Sequence, residues 1–389
     1  MAAVTSVLTN IFHLVISFVI YLPQILLPLP AMMQEATFFE DWSAEQEYTH
    51  EYSVVLEKDE DEDFVVLNLA DIQVSDGDTF FTDYDYAKKM IRKLVDEQDP
   101  DLITLSGDNA WDTIAYLTLV DFIDSLGIPW APVMGNHDGQ GCMNEFWCAY
   151  LFYKAENCVW KFGPKDMGYG NYVINIKQGD EIVHTIFMMD THDNVDYTDA
   201  NGNHIAGYDH LWENQFAWYE WAVNGIAAVE GKTVESTIFM HIPVYETKEV
   251  WYYYYEGQHC AACDKNFTPA QLKDGNCPDC AGVITNAAND ESRWIGEYAD
   301  KAEGVIHETP CPGAVNNHFT DLMLKLGSTK NVIFGHDHVC NASINYEGIQ
   351  LTYGLKLGYG CYYEKGMMGG TTLTIASDGS AQYEHHFLG

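Results

Sequence analysis

Five short polar clusters carry the chemistry open to this sequence: Asp71-Ile72-Gln73, Gly107-Asp108-Asn109, Gly135-Asn136-His137-Asp138, a lone His241, and Gly335-His336-Asp337-His338. Each comes directly after an apolar run: FVVLNLA (64–70), DLITLS (101–106), PWAPVM (129–134), STIFM (236–240) and NVIF (331–334). Taken singly, a histidine after a strand reads as a hydrogen-bonded core residue and a Gly-Asp pair as a turn. Taken in series, they place carboxylate, amide and imidazole ligands at the ends of successive strands. That is the donor set of a two-metal hydrolytic site. One carboxylate can bridge two cations about 3.5–4 Å apart.

The elements that must position these clusters can be read from periodicity. FVVLNLA is a short strand ending at Asp71. In YDYAKKMIRKLVDEQ (84–98), Ala87, Met90, Ile91, Leu94 and Val95 recur at helical spacing, and Pro100 stops the helix. DLITLSGD supplies a second strand, AYLTLVDFIDSLG (115–127) a helix closed by Gly127, and PWAPVMGNHD a third strand running into a polar loop. This β-α-β-α-β order predicts a largely parallel sheet with its site at the strand C-termini. Further strands are expected at NYVINIK, EIVHTIFMMD, STIFMHIP and NVIFGHDH, then in the Gly/Tyr-rich C-terminal run, with an edge strand at 52–56.

Cysteines form a second constellation. Cys260 with Cys263 and Cys277 with Cys280 make two C-x-x-C knuckles separated by thirteen residues. Such a pair suits a tetrahedral thiolate cage for a structural zinc; local disulfides in an exported protein are the other reading. The knuckles sit in an expected insertion, residues 248–312, introduced by the aromatic run 251–255.

With 19 Lys and Arg against 58 Asp and Glu, the formal net charge is −39. Such a surface repels phosphate backbones, so neither a nucleic acid nor an anionic membrane surface is expected as a partner. Residues 11–30 are apolar and uncharged and end in Pro23, Pro28 and Pro30. Residues 1–33 therefore read as a secretory signal, with a retained membrane anchor as the alternative. A secreted or cell-surface location is expected either way. Residues 34–63 form an acidic leader, and 64–389 the functional domain.

From Phe64 to Thr374 the chain resembles the calcineurin-like metallophosphoesterases, whose ordered pattern is D-x-H, G-D-x-x, G-N-H-D/E, H, G-H-x-H. The context MMDTHDN, GYDHLWENQFAWYEWAV, CPGAVNNHF and LTYGLKLGYGCYY is similar to the subgroup related to purple acid phosphatases. The resemblance implies an α/β (α+β) four-layer αββα sandwich and two divalent or trivalent metal ions (Mn, Fe or Zn). It assigns Asp71, Asp108 and His338 to the first ion, with Gln73 either a weak fourth ligand or none. Asp108, Asn136, His241 and His336 go to the second, so that Asp108 bridges. It implies hydrolysis of a small phosphorylated substrate by a metal-activated hydroxide, with His137 a catalytic imidazole that does not ligate. Asp138 either orients His137 or one of the metal ligands, or serves as a turn residue. Two positions depart from the pattern. Gln73 stands where the family has a histidine, and Trp111 where purple acid phosphatases carry an iron-binding tyrosine. An indole N–H is a donor only and cannot ligate. A catalytically impaired binding protein on the same fold, and a nucleotide or sugar-nucleotide hydrolase, are the alternative functions.

Overall fold

The computed structural model describes Val19 and residues 21–79, 82–141, 143–255, 258–260, 262–263, 265–267, 276–282, 284–286, 293–294 and 296–388. Two sheets dominate. A five-stranded sheet runs Ala381–Phe387, Gly369–Ile375, Phe64–Leu69, Leu102–Ser106, Trp130–Val133. Its last three strands are parallel and are joined through helices Thr82–Gln98 and Thr113–Asp124, which is the expected β-α-β-α-β unit. An eight-stranded sheet runs Ser53–Glu57, Tyr172–Gln178, Glu181–Met188, Glu235–Phe239, Thr329–Phe334, Ile349–Tyr353, Ser343–Tyr346, Ala302–Glu303. Its first strand is the expected edge strand, displaced by one residue.

The period-2 alternation of the larger sheet explains the layering. Ile174, Ile176, Ile186, Met188, Phe239 and Ile333 face a core shared with the smaller sheet. Their neighbours Val173, Phe187, Ile238, Val332 and Phe334 face a second core. Helix Glu213–Glu230 closes the second core: Gln215, Trp218, Tyr219, Ala222, Val223 and Ile226 are buried at helical spacing. Helices Thr82–Gln98, Thr113–Asp124 and Glu145–Lys154 cover the smaller sheet. The result is an αββα sandwich with strand C-termini from both sheets meeting at one edge.

Residues 1–18 and 20 of the expected signal or anchor segment lie outside the described residues. From Tyr21 onward this segment packs on the domain. Tyr21, Ile25, Ala31 and Met32 lie against the first core, and the Trp147 indole donates to the Ile25 carbonyl at 3.1 Å. No helix among the described residues is long and apolar enough to cross a membrane. The expected insertion lies only partly within the described residues. There Gln258–Cys260 pairs with Lys265–Phe267 and Ile284–Asn286, and the chain rejoins the large sheet at Ala302–Glu303.

Candidate metal centre

The loops that carry the site are held in unusual backbone conformations. Asp71 (φ 50°), Gln73 (φ 47°), Asp108 (φ 51°) and His336 (φ 77°) all lie in the left-handed region. For non-glycine residues that costs on the order of 1–3 kcal/mol each and persists only where the surroundings enforce it. Close backbone approach does so here. A Cβ on Gly135 would sit 2.2 Å from the Asp108 backbone nitrogen, and one on Gly335 would sit 2.6 Å from Asp71 Oδ2. The glycines of G-N-H-D and G-H-D-H let one loop press directly on the carboxylate of another.

Asp138 ties these loops together. Its Oδ1 accepts from the backbone of Asn109 (2.8 Å) and Ala110 (3.3 Å), and its Oδ2 from Gly135 N (2.8 Å) and Asn109 Nδ2 (2.9 Å). Asp138 sits in the expected turn, its N–H donating to the Gly135 carbonyl at 3.2 Å; none of its carboxylate bonds goes to His137, and the side chain is a buried clamp between the Asp108 and Asn136 loops. Burial, then the neighbouring Asp108 charge, pushes its pKa up to about 7. Asp138→Ala should strand three backbone N–H groups and destabilise the fold by about 3–5 kcal/mol, read from the urea midpoint. A change below about 1 kcal/mol would show that the clamp is not structural.

Asn136, His241, His336 and Asp108 converge on one point. The His241 Nδ1 lies 2.9 Å from the Ser106 carbonyl, which assigns the proton to Nδ1 and leaves Nε2 facing inward. That Nε2 is 3.0 Å from Asn136 Oδ1, 3.3 Å from Asp108 Oδ1 and 3.3 Å from His336 Nδ1. The His336 Nε2 is buried without a partner, and the Tyr208 ring meets its imidazole edge-on at 4.2 Å. Ligand atoms of Asp71, Asp108 and His241 lie within 4.8 Å of one another. Oxygen and nitrogen lone pairs aimed at each other fit a cation, and this donor set suits a borderline or hard divalent ion.

Protonation obeys the same logic. Burial opposes a charged His241, but Asp108, Asp71 and the Ser106 carbonyl raise its pKa above the ordinary 6.5. Burial and the neighbouring His241 push His336 well below it. In the metal-free protein a proton on His241 thus stands where a cation would. Binding of Mn²⁺ should release that proton, so affinity falls as pH drops from above the ordinary 6.5. Calorimetry in buffers of different ionisation enthalpy should find proton release on Mn²⁺ binding that increases as the pH falls; no release at any pH would contradict the assignment.

The expected first site is different. His338 Nε2 lies 3.4 Å from Asp71 Oδ1, its Nδ1 held 3.0 Å from the Tyr362 carbonyl. Gln73, however, is fully engaged elsewhere. Its Oε1 accepts from Lys356 Nζ at 2.6 Å, and its Nε2 donates to Asp108 Oδ2 at 2.8 Å. An ammonium only donates and a carboxylate only accepts, so the amide orientation is fixed by its partners. Both ends of the Gln73 amide are thus engaged within the protein. Lys356 is buried, and burial pulls its pKa down to about 8 against the pull of Asp71 and Asp108. Nothing in the motif spacing singled it out; the signal was a lone lysine in the apolar run LTYGLKLGYG.

His137 lies at the rim. Its backbone N–H donates to Asp108 Oδ1 at 2.9 Å, its Nδ1 is 2.8 Å from Gln140 Oε1, and its Nε2 is 3.9 Å from Asp108 Oδ2. The Trp111 indole packs on the imidazole, with ring centres 4.2 Å apart. In the insertion, Cys260 Sγ is 3.4 Å from Cys280 Sγ and Cys263 Sγ 3.6 Å from Cys277 Sγ. These are far from the ~2.05 Å of a disulfide, and they pair cysteines across the two knuckles rather than within them. They approach the ~3.8 Å edge of a tetrahedron with Zn–S bonds of ~2.3 Å.

The chain belongs to the calcineurin-like phosphoesterase family, whose sequence profile matches residues 64–340. Within it, the chain falls in the subgroup related to purple acid phosphatases. It is 23% identical to the protein named probable inactive purple acid phosphatase 28 of Arabidopsis thaliana, over 78% of this chain and 72% of that protein. It is 26% identical to phosphatase DCR2 of Saccharomyces cerevisiae, over 49% of this chain and 36% of that one. A solved dimetal phosphatase from Danio rerio overlays 83% of this chain and 98% of its own, with 11% identity and a TM-score of 0.43.

Proposed function

We propose that this protein is a cation-dependent hydrolase of small phosphoesters. The observation that carries the reading is the convergence of Asn136 Oδ1, His241 Nε2 and Asp108 Oδ1 beside the unpartnered His336 Nε2. When bound there, a divalent cation supplies Lewis-acid polarisation of a phosphoryl oxygen and lowers the pKa of a water. The protein's own residues do the rest. Ser106 holds the His241 tautomer, and Tyr208 walls the pocket against His336. Gln140 holds the Nδ1 side of His137, which leaves Nε2 as the atom that gives a proton to the leaving oxygen. Trp111 fixes that ring in place. The Cys tetrad would hold a zinc that orders the insertion, and the apolar segment 11–30 favours a secreted or cell-surface protein.

A panel of an aryl monophosphate, an aryl phosphodiester and nucleotides, assayed with and without Mn²⁺, tests the reading. Mn²⁺-dependent turnover of at least one supports it, and the preferred ester names the substrate class. A second reading, a catalytically impaired binder, is favoured by the lysine-bound Gln73 and matches the word "inactive" in the name of the Arabidopsis relative. In that case phosphate or an ester binds without turnover.

A further inference from the structure

Segment 354–358 presses against the first cluster. Leu357 N donates to the Ala70 carbonyl at 2.9 Å, and a Cβ on Gly358 would lie 1.7 Å from the Ile72 carbonyl. This clamps Lys356 in place, 1% exposed, with Nζ donating to the Asp71 carbonyl at 2.9 Å and to Gln73 Oε1 at 2.6 Å. Gln73 passes the polarity on by donating to Asp108 Oδ2 at 2.8 Å.

A carboxylate that bridges two cations must offer each oxygen's lone pairs to its own ion. Here Asp108 Oδ1 faces His241 Nε2 at 3.3 Å, while Oδ2 is engaged by an N–H. A second divalent ion at Asp71 and His338 would meet an amide that presents its donor group, with an ammonium behind it. Asp71 and Asp108 are the carboxylates in contact with the ligand imidazoles. One dication plus one ammonium suits that pair far better than two dications plus an ammonium. The donor set of the second site thus fits an ion, and that of the first does not.

We propose that Lys356, acting through Gln73, takes the place of the first metal of the family's pair, so that the centre binds a single divalent cation at Asp108, Asn136, His241 and His336. Lys356 and Gln73 are positioning residues. They hold Asp108 and supply the positive charge that the first ion would bring. The inference rests on the reading of this site as a cation centre, but not on turnover.

The full-length protein, stripped with chelator and dialysed, is titrated with Mn²⁺ and followed by metal analysis and electron paramagnetic resonance. Mn²⁺ avoids thiolate sites, and zinc in the Cys tetrad is silent. The expected result is one equivalent with the six-line spectrum of an isolated ion. The double variant Gln73→His, Lys356→Met should take up a second ion and show an exchange-coupled spectrum. Two equivalents and a coupled spectrum in the wild type overturn the proposal, whether or not the variant folds. No Mn²⁺ binding overturns it together with the cation-centre reading. One bound Mn²⁺ without hydrolysis upholds it while removing the hydrolase reading.

Discussion

His137→Ala should lower turnover of an aryl phosphate by about 10²–10⁴, the range for a lost acid–base group, while bound Mn²⁺ is unchanged. The separation is a matter of geometry. The imidazole contacts Gln140 and Trp111 rather than the converging ligand atoms, and its Nε2 stays 3.9 Å from the nearest Asp108 oxygen. The backbone N–H that braces Asp108 is retained in alanine. The loss should be largest for esters with poor, alkyl leaving groups and smaller for aryl esters that need little protonation. An equal loss for both would place His137 in orienting the substrate rather than in proton transfer. Full activity would remove it from the chemistry.

Cys277→Ser should cost the protein one equivalent of zinc and the order of the insertion, with the ligands at Asp108, Asn136, His241 and His336 untouched. Apparent zinc affinities of thiolate knuckles amount to about 10–16 kcal/mol near neutral pH, and in small modules that energy is folding energy. Among the described residues, Cys260 and Cys277 are buried, with Cys263 packed against them. Loss of the ion should therefore appear as protease cutting between residues 256 and 295 while the core stays intact. Non-reducing mass spectrometry that finds disulfides within each C-x-x-C pair would refute the zinc assignment.

The strands and the five polar clusters were legible because short, continuous apolar runs ending in ligand-type residues report a buried strand and its sheet edge directly. FVVLNLA, DLITLS and PWAPVM each became a parallel strand within a residue or two of the expected bounds. Asp71, Asp108, Asn136, His241, His336 and His338 meet because sequential strands deliver them to one edge. What was hidden depends on contacts across the sheet. Lys356 reaches Gln73 from 283 positions away, and no local pattern marks a lysine whose partner is set by the register of another strand. The hairpin Asn194–Thr198 with His204–Tyr208, which puts Tyr208 on His336, was equally silent. Its strands are polar and mostly exposed and so carry no hydrophobic alternation. Asp138 was placed in a turn motif, but its clamp on Asn109 and Ala110 is visible only once two loops abut.

The most direct measurement is aryl phosphate hydrolysis by the metal-stripped wild type and by His241→Ala, side by side, before and after Mn²⁺ is added. His241 is fully buried and its Nε2 lies at the meeting point of Asn136, Asp108 and His336. The expected result is turnover that appears in the wild type only with Mn²⁺ and stays absent in a folded His241→Ala. Turnover that persists in the variant, or a wild type that binds Mn²⁺ and hydrolyses nothing, would contradict a cation-dependent phosphoesterase centre at these residues.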